Sequence, residues 1–343
     1  DMADFTPRDR VTEVTGDLAA AVAGSQINPY TMRLQVEVGG AITVGMPSIL
    51  TDPWNPIVGT NWGYDAAVQR ATQDWGMQVD PFTGLRYPQR IERAEVFVAE
   101  GLPVGQSEDS KDWLTLEFVP EVPVPEDAWA DWDAANQVFV TAAEKFPEGA
   151  TANQKTVIYY PSELYSTAWH DGSAFDLADI VMNMIFYFDR GKEESAIFDS
   201  AHAAPVDAAL QSFKGIRYVS EDPLVIETYT DAFALEAELI DQITIASWYP
   251  SAISGPSQVP YTYGTGGWHS VGLGVLPETT GELAFSSAKA DELEVDWMNF
   301  IGGPSLEILS GHLEQALADN YIPNEPTLGQ YVTAEEAAER WAN

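Results

Sequence analysis

Trp169-His170-Asp171-Gly172-Ser173-Ala174-Phe175-Asp176-Leu177-Ala178-Asp179-Ile180-Val181 is a turn with an aromatic anchor that delivers the backbone into an apolar helix. Asp171-Gly172 is a turn dipeptide, because glycine tolerates positive φ and the aspartate side chain can bond its own backbone two residues on. Asp176 suits an N-cap, and Asp179, three residues later, sets a second carboxylate against the positive end of the helix dipole. Ile180, Met184, Ile185 and Phe188 then recur at helical spacing, so one face is buried, and Asp189-Arg190-Gly191 is a stop.

Upstream, Thr156 to Tyr160 is a short β-branched and aromatic run bounded by Pro161, which reads as a strand. The local order is strand, turn, helix. Three further stretches stand around it: Ala41-Ile42-Thr43-Val44-Gly45 followed by Asp52-Pro53-Trp54-Asn55-Pro56; Asp80-Pro81-Phe82-Thr83-Gly84 with Tyr87-Pro88; and Phe213-Lys214-Gly215-Ile216 with Glu221-Asp222-Pro223-Leu224-Val225-Ile226, a strand pair.

In that order these segments resemble the family-5 extracellular solute-binding proteins, receptors of ABC importers for peptides, nickel and some oligosaccharides. The resemblance covers roughly residues 41–250 and implies a mixed α/β (α+β) chain of periplasmic-binding-protein-like type II fold. Three regions are expected: 1–38, a leader helix and strand; 39–250, the family-5 region; and 251–343, a Gly- and Tyr-rich extension with C-terminal helices. Family members return to the first lobe through a Gly-Pro-Phe-like segment and then build a second large lobe. Neither feature precedes Asn343, so the chain is expected to be a fragment or an unusual member, with part of lobe I plus the small domain.

Composition sets the outer bounds. A chain of 343 residues can bury a substantial core, with about two domains as the length expectation. At 45% hydrophobic and 11% aromatic residues it is globular, and no run of eighteen apolar residues spans a membrane. Asp1-Met2-Ala3-Asp4 lacks the basic and apolar regions of a signal peptide. Absence of cysteine excludes disulfides and thiolate metal sites. A lipoprotein anchor, common in the family, would need a cysteine outside this sequence. The net charge of −37 opposes nucleic acid and anionic lipid surfaces. A shortage of Lys beside abundant Asp and Glu admits salt adaptation as well as ordinary solubility of a secreted protein.

Along the chain, residues 9–24 carry a helical pattern through Val11, Val14, Leu18 and Val22, and Met32 to Val38 alternates like a strand. Trp113 to Val119 is a strand inside a Pro-rich acidic stretch. Residues 250–282 read as a loop-like elaboration. Three helices are expected after it: Ser286 to Phe300; one opened by Pro304 with Leu306, Leu309, Leu313 and Leu317 as a core stripe; and a last one started by the Thr333/Glu336 capping box.

The sequence holds no Gly-x-Ser-x-Gly elbow, His-Glu-x-x-His, P-loop or complete Gly-x-Gly-x-x-Gly, so no catalytic residue, metal site or cofactor is assigned. His170 reads as structural or solvated, His269 as a loop residue beside Ser270 and Trp268, and His202 and His312 as surface residues. Asp131-Trp132-Asp133 and Glu108-Asp109-Ser110-Lys111-Asp112 could suggest calcium, but neither continues into an EF-hand loop. Solvated acidic loops are the simpler reading.

Aromatic residues at strand-to-loop junctions carry the ligand expectation. Trp54, Asn55, Trp62, Tyr64, Trp248, Tyr249 and Trp268 are the candidate ligand contacts, with Tyr261 and Tyr263 nearby, because loop Trp and Tyr stack on sugars or cover a peptide backbone. Core packing is the competing reading for each. The resemblance implies that the Trp54-Asn55 turn borders the ligand cleft, and that the protein is an extracytoplasmic receptor handing a peptide-like or oligosaccharide ligand to an ABC permease, with no bond made or broken. The competing classes are an extracellular carbohydrate-active enzyme (glycoside hydrolase), supported by tryptophans and carboxylates, and a structural or adhesion module on the same scaffold.

Overall fold

Strands form where small or β-branched side chains alternate with polar ones, and the first long strand shows it plainly: Ala94, Val96 and Val98 are buried while the residues between them are only half-covered. The computed structural model describes residues 55, 57–58, 76–79, 86–88, 90–169, 171–240 and 266–343. Among them, β1 (Met77–Val79) and β2 (Arg86–Pro88) make an antiparallel ribbon. Then follow β3 (Arg93–Ala99), β4 (Leu114–Val119), β5 (Val122–Pro123), β6 (Trp129–Asp133), β7 (Val138–Thr141), β8 (Thr151–Ala152), β9 (Gln154–Tyr159), β10 (Phe213–Glu221) and β11 (Leu224–Thr230). Seven of these form one mixed sheet in the order β4-β3-β9-β11-β10-β6-β7, in which only the β3–β4 pair is parallel. The expected strands at Thr156–Tyr160 and Trp113–Val119 and the pair after the helix are β9, β4 and the β10–β11 hairpin.

Helices complete a mixed α/β chain. They are α1 (Ala142–Lys145), α2 (Leu177–Asp189), α3 (Ser200–Ser212), α4 (Trp268–Thr279), α5 (Ser287–Leu293), α6 (Ser305–Asp319), α7 (Glu325–Leu328) and α8 (Ala334–Ala342), with β12 (Leu283–Ala284) and β13 (Asp296–Trp297) paired in parallel among them. The expected N-cap opens α2, and Asp179 completes it as a capping box: Asp179 N–H donates to Asp176 Oδ1 at 3.2 Å, and Asp176 N–H to Asp179 Oδ2 at 3.0 Å. Along α2 only Tyr187 is not buried, the signature of a core helix. Phe188 meets Phe139 and Phe213 of the sheet, while Phe186 meets Phe285 on the helical side. The helix therefore lies between the sheet and a helical layer led by α4.

Several expectations are corrected. Residues 268–279, assigned to a loop-like elaboration, form α4. Its Gly274 is there for close approach, since a Cβ would stand 2.5 Å from the Phe285 ring. The helix expected to reach Phe300 stops at Leu293, where Glu294 turns left-handed (φ 57°), and β13 begins at Asp296. α6 opens at Pro304 as expected, but its leucine stripe splits: Leu309 is 5% exposed, whereas Leu306, Leu313 and Leu317 are 39–45% exposed, and Ala316 takes the core position instead. His202 is buried, not at the surface, with Nε2 2.9 Å from Tyr187 O. The leader helix and strand, the Ala41–Gly45 strand, Asp80–Gly84 and residues 250–265 lie outside the described residues.

Candidate functional site

The turn that starts α2 is held as its chemistry demands. Gly172 sits at φ +91°, where a side chain is strained, and Ser173 N–H donates to Asp171 Oδ1 at 2.8 Å, two residues on. Ser173 Oγ donates to the same oxygen at 2.5 Å. The other oxygen, Asp171 Oδ2, lies 2.7 Å from His269 Nε2. His269 is thus a buried residue in the first turn of α4, correcting its placement in a loop.

Asp179 is the centre of the cluster, and its side chain is fully buried. Its Oδ2 accepts from Trp169 Nε1 at 2.9 Å and from Asp176 N–H. Its Oδ1 accepts from the Trp268 N–H at 2.8 Å. Arg340 of α8 closes the group: Nη2 donates to Asp176 Oδ2 at 2.6 Å and to Asp179 Oδ2 at 3.2 Å, while Nη1 stands 3.4 Å from both Asp179 Oδ1 and His269 Nδ1. Four segments meet here: the 169–173 turn, α2, α4 and α8. Burial and the Asp176 charge push the Asp179 carboxyl up to about 6, with Arg340 and the Trp169 and Trp268 donors pulling the other way. Burial lowers His269, helped by Arg340 and opposed by Asp171.

Asp171 lies between Ser173 and His269, so the serine hydroxyl donates to the acid and not to the imidazole. The order needed to activate a nucleophile, hydroxyl to imidazole to carboxylate, is not the order found. The geometry is that of an electrostatic anchor for the start of α2.

A second buried charged group closes the other end of α2. Arg190 meets Asp199 at 2.6 Å, Lys289 meets Glu278 at 2.7 Å, and Asp189 accepts from Trp132 Nε1 and Ser195 Oγ. Burial raises Glu278 against the pull of Lys289. Asp131, weighed for calcium, receives Lys192 at 2.6 Å and Lys145 at 3.0 Å, while Asp133 accepts from Asn136. Among the described residues no group of three or more His, Asp or Glu side chains is placed to hold a metal ion.

Of the candidate ligand contacts, Asn55 and Trp268 are described. Asn55 is buried, and its Oδ1 accepts from Ile57 N–H at 3.0 Å and Val58 N–H at 3.2 Å, pinning its own turn. Ile57 reaches the position of Gly266, just ahead of α4. Trp268 is 1% exposed, with its ring edge-on to Trp341 at 5.8 Å. Trp54, Trp62, Tyr64, Trp248 and Tyr249, like His170, lie outside the described residues. Sequence reasoning missed Arg340, for which the available hint was an arginine on a helix whose other charges are glutamates, and it missed the partners of His269. No family model matches the chain, and the search of curated proteins gives no match.

Proposed function

We propose that the protein is the extracytoplasmic solute-binding component of an ABC importer, with a periplasmic-binding-protein-like type II fold, taking a peptide-like or oligosaccharide ligand without chemical turnover. The observation that carries the reading is the frame from β9 through the Trp169–Gly172 turn into α2 and on to the β10–β11 hairpin, which keeps the order of segments on which the resemblance to family-5 receptors rests. Two supports stand beside it. The Asn55 turn, which the resemblance puts at the cleft border, packs near the start of α4. The cluster around Asp179 has the geometry of an anchor, which suits a receptor whose scaffold must stay rigid while ligand is enclosed by hinge closure. Affinity would come from aromatic coverage and backbone hydrogen bonds, with the transport energy supplied elsewhere.

The test is a thermal-unfolding screen of the full chain against tri-alanine, a mixed tripeptide pool and maltotriose, with reducing-sugar release from a glycan panel assayed in parallel. A saturable rise in unfolding temperature without turnover is the expected result. Sugar release would replace the reading with a glycoside hydrolase. No shift with any probe would favour the structural or adhesion module.

A further inference from the structure

We propose that α8 is an acid-released clasp: Arg340 holds the C-terminal helix onto the α2–α4 junction at neutral pH, and protonation of His269 beside its guanidinium lets the helix go. The geometry fixes the protonation state that docking needs. His269 Nε2 faces the Asp171 carboxylate at 2.7 Å, so it carries the proton, which leaves Nδ1 as a lone pair toward Arg340 Nη1 at 3.4 Å. An imidazolium would place a second N–H, and a second positive charge, against the guanidinium. Docked Arg340 therefore requires neutral His269.

Other titratable groups face Arg340 from each element packed against it. From the 169–173 turn comes Asp171, bound to His269. From α2 come Asp176 and Asp179, the two carboxylates that Arg340 bonds directly. From α4 comes His269, and on α8 itself Glu336, one turn earlier, is tied to Thr333 as the helix cap. Arg340 pulls the Asp179 carboxyl and the His269 imidazole toward their deprotonated forms. At His269 the loss of the cation and the gain of water both raise the proton affinity, so there the undocked state binds more protons and acid favours it; at Asp179 burial is what raises the carboxyl, so hydration on release opposes the loss of the cation. The direction of release is carried by His269, where both changes have one sign. Burial of Asp179 and His269 keeps their interactions with Arg340 poorly screened, so the effect survives salt better than a surface pair would.

Release also has a defined extent. Trp341 packs edge-on against Trp268 and donates from Nε1 to Tyr321 O at 2.6 Å. Losing α8 therefore uncovers Trp268 and the start of α4, while the sheet and its face of α2 keep their contacts.

Hydrogen exchange of the full chain, read by mass spectrometry at about pH 7.5 and about pH 5 and corrected for intrinsic exchange, tests this directly. The expected result is that peptides from 333–343 lose protection by about tenfold or more at the lower pH, while peptides from β9 do not change. His269→Gln should abolish the response. Equal protection of 333–343 at both pH values in the unaltered protein overturns the proposal without needing any variant. So does a response of undiminished size in His269→Gln, or a loss of protection shared equally by β9, which would mean global unfolding.

Discussion

Replacing Arg340 with methionine keeps the length and the apolar stem of the side chain while deleting its charge, so it isolates the ionic contribution of the clasp. Two carboxylates lose a partner, and they differ in what that costs. Asp176 is 48% exposed, and water takes over from the guanidinium, so its share is under about 1 kcal/mol. Asp179 is fully buried and keeps only the Trp169, Asp176 and Trp268 N–H donors. Removing one partner of a buried ion pair costs ~3–5 kcal/mol, and proton uptake by an acid already pushed up to about 6 limits the loss toward the lower end. Arg340→Met is therefore expected to destabilise the protein by ~3 kcal/mol at neutral pH. Urea unfolding of four proteins, unaltered, Arg340→Met, Asp179→Asn and the double variant, measures both the loss and the coupling. The double variant should be more stable than the sum of the two losses predicts. A loss below about 1 kcal/mol for Arg340→Met, or strict additivity, would refute the claim that Asp179 depends on Arg340.

Four other outcomes follow from the same structure. Thr333→Ala removes a capping box in which Thr333 accepts from Glu336 N–H and Glu336 bonds back to Thr333 N–H, and should cost ~1 kcal/mol in chemical denaturation. Gly274→Ala drives a methyl into the Phe285 ring and should lose ~1–3 kcal/mol, whereas a surface helical glycine would gain from the same change. On α6, Leu309→Ala should cost ~2–5 kcal/mol and Leu313→Ala less than about 0.5; equal losses would show that both leucines are buried. Asp171 is held down to about 2 by Ser173 and His269 despite partial burial, so its folded value lies below its unfolded one. Its contribution is present above about pH 4 and is lost as pH falls toward 2, and Asp171→Asn should flatten stability across that window in acid titrations followed by circular dichroism.

What could be read from sequence was what neighbours in sequence decide. The Asp171-Gly172 turn, the Asp176 N-cap and the Thr333/Glu336 box depend on side chains reaching a few residues along their own backbone, and the strands around Thr156 and Trp113 on a local run of β-branched and aromatic residues. α4 was hidden because Gly272, Gly274 and Pro277 carry the punctuation of a loop, while the reason for Gly274 is a phenylalanine brought in by the fold. The leucines of α6 were visible as a helical pattern, but the pattern does not say which leucines face inward, and the choice went to Leu309 with Ala316. His202 and His269 looked unremarkable alone; burial and distant partners define them. Arg340 lies 161 positions from Asp179, a separation no local pattern bridges.

The strand order has a consequence for how the chain is made. The β6–β7 hairpin is complete early, yet it joins the large sheet only through β10, where Ile216 pairs with Trp129. β9 likewise borders β3 as soon as both exist, but its other edge stays open until β11 arrives. During synthesis from the N-terminus, then, the nascent chain carries two separate sheet fragments with open edges until the residues up to Thr230 have emerged. That interval is when strand edges are free to pair wrongly with other chains. The late β10–β11 hairpin is thus the bolt that joins two halves of a sheet already waiting for it.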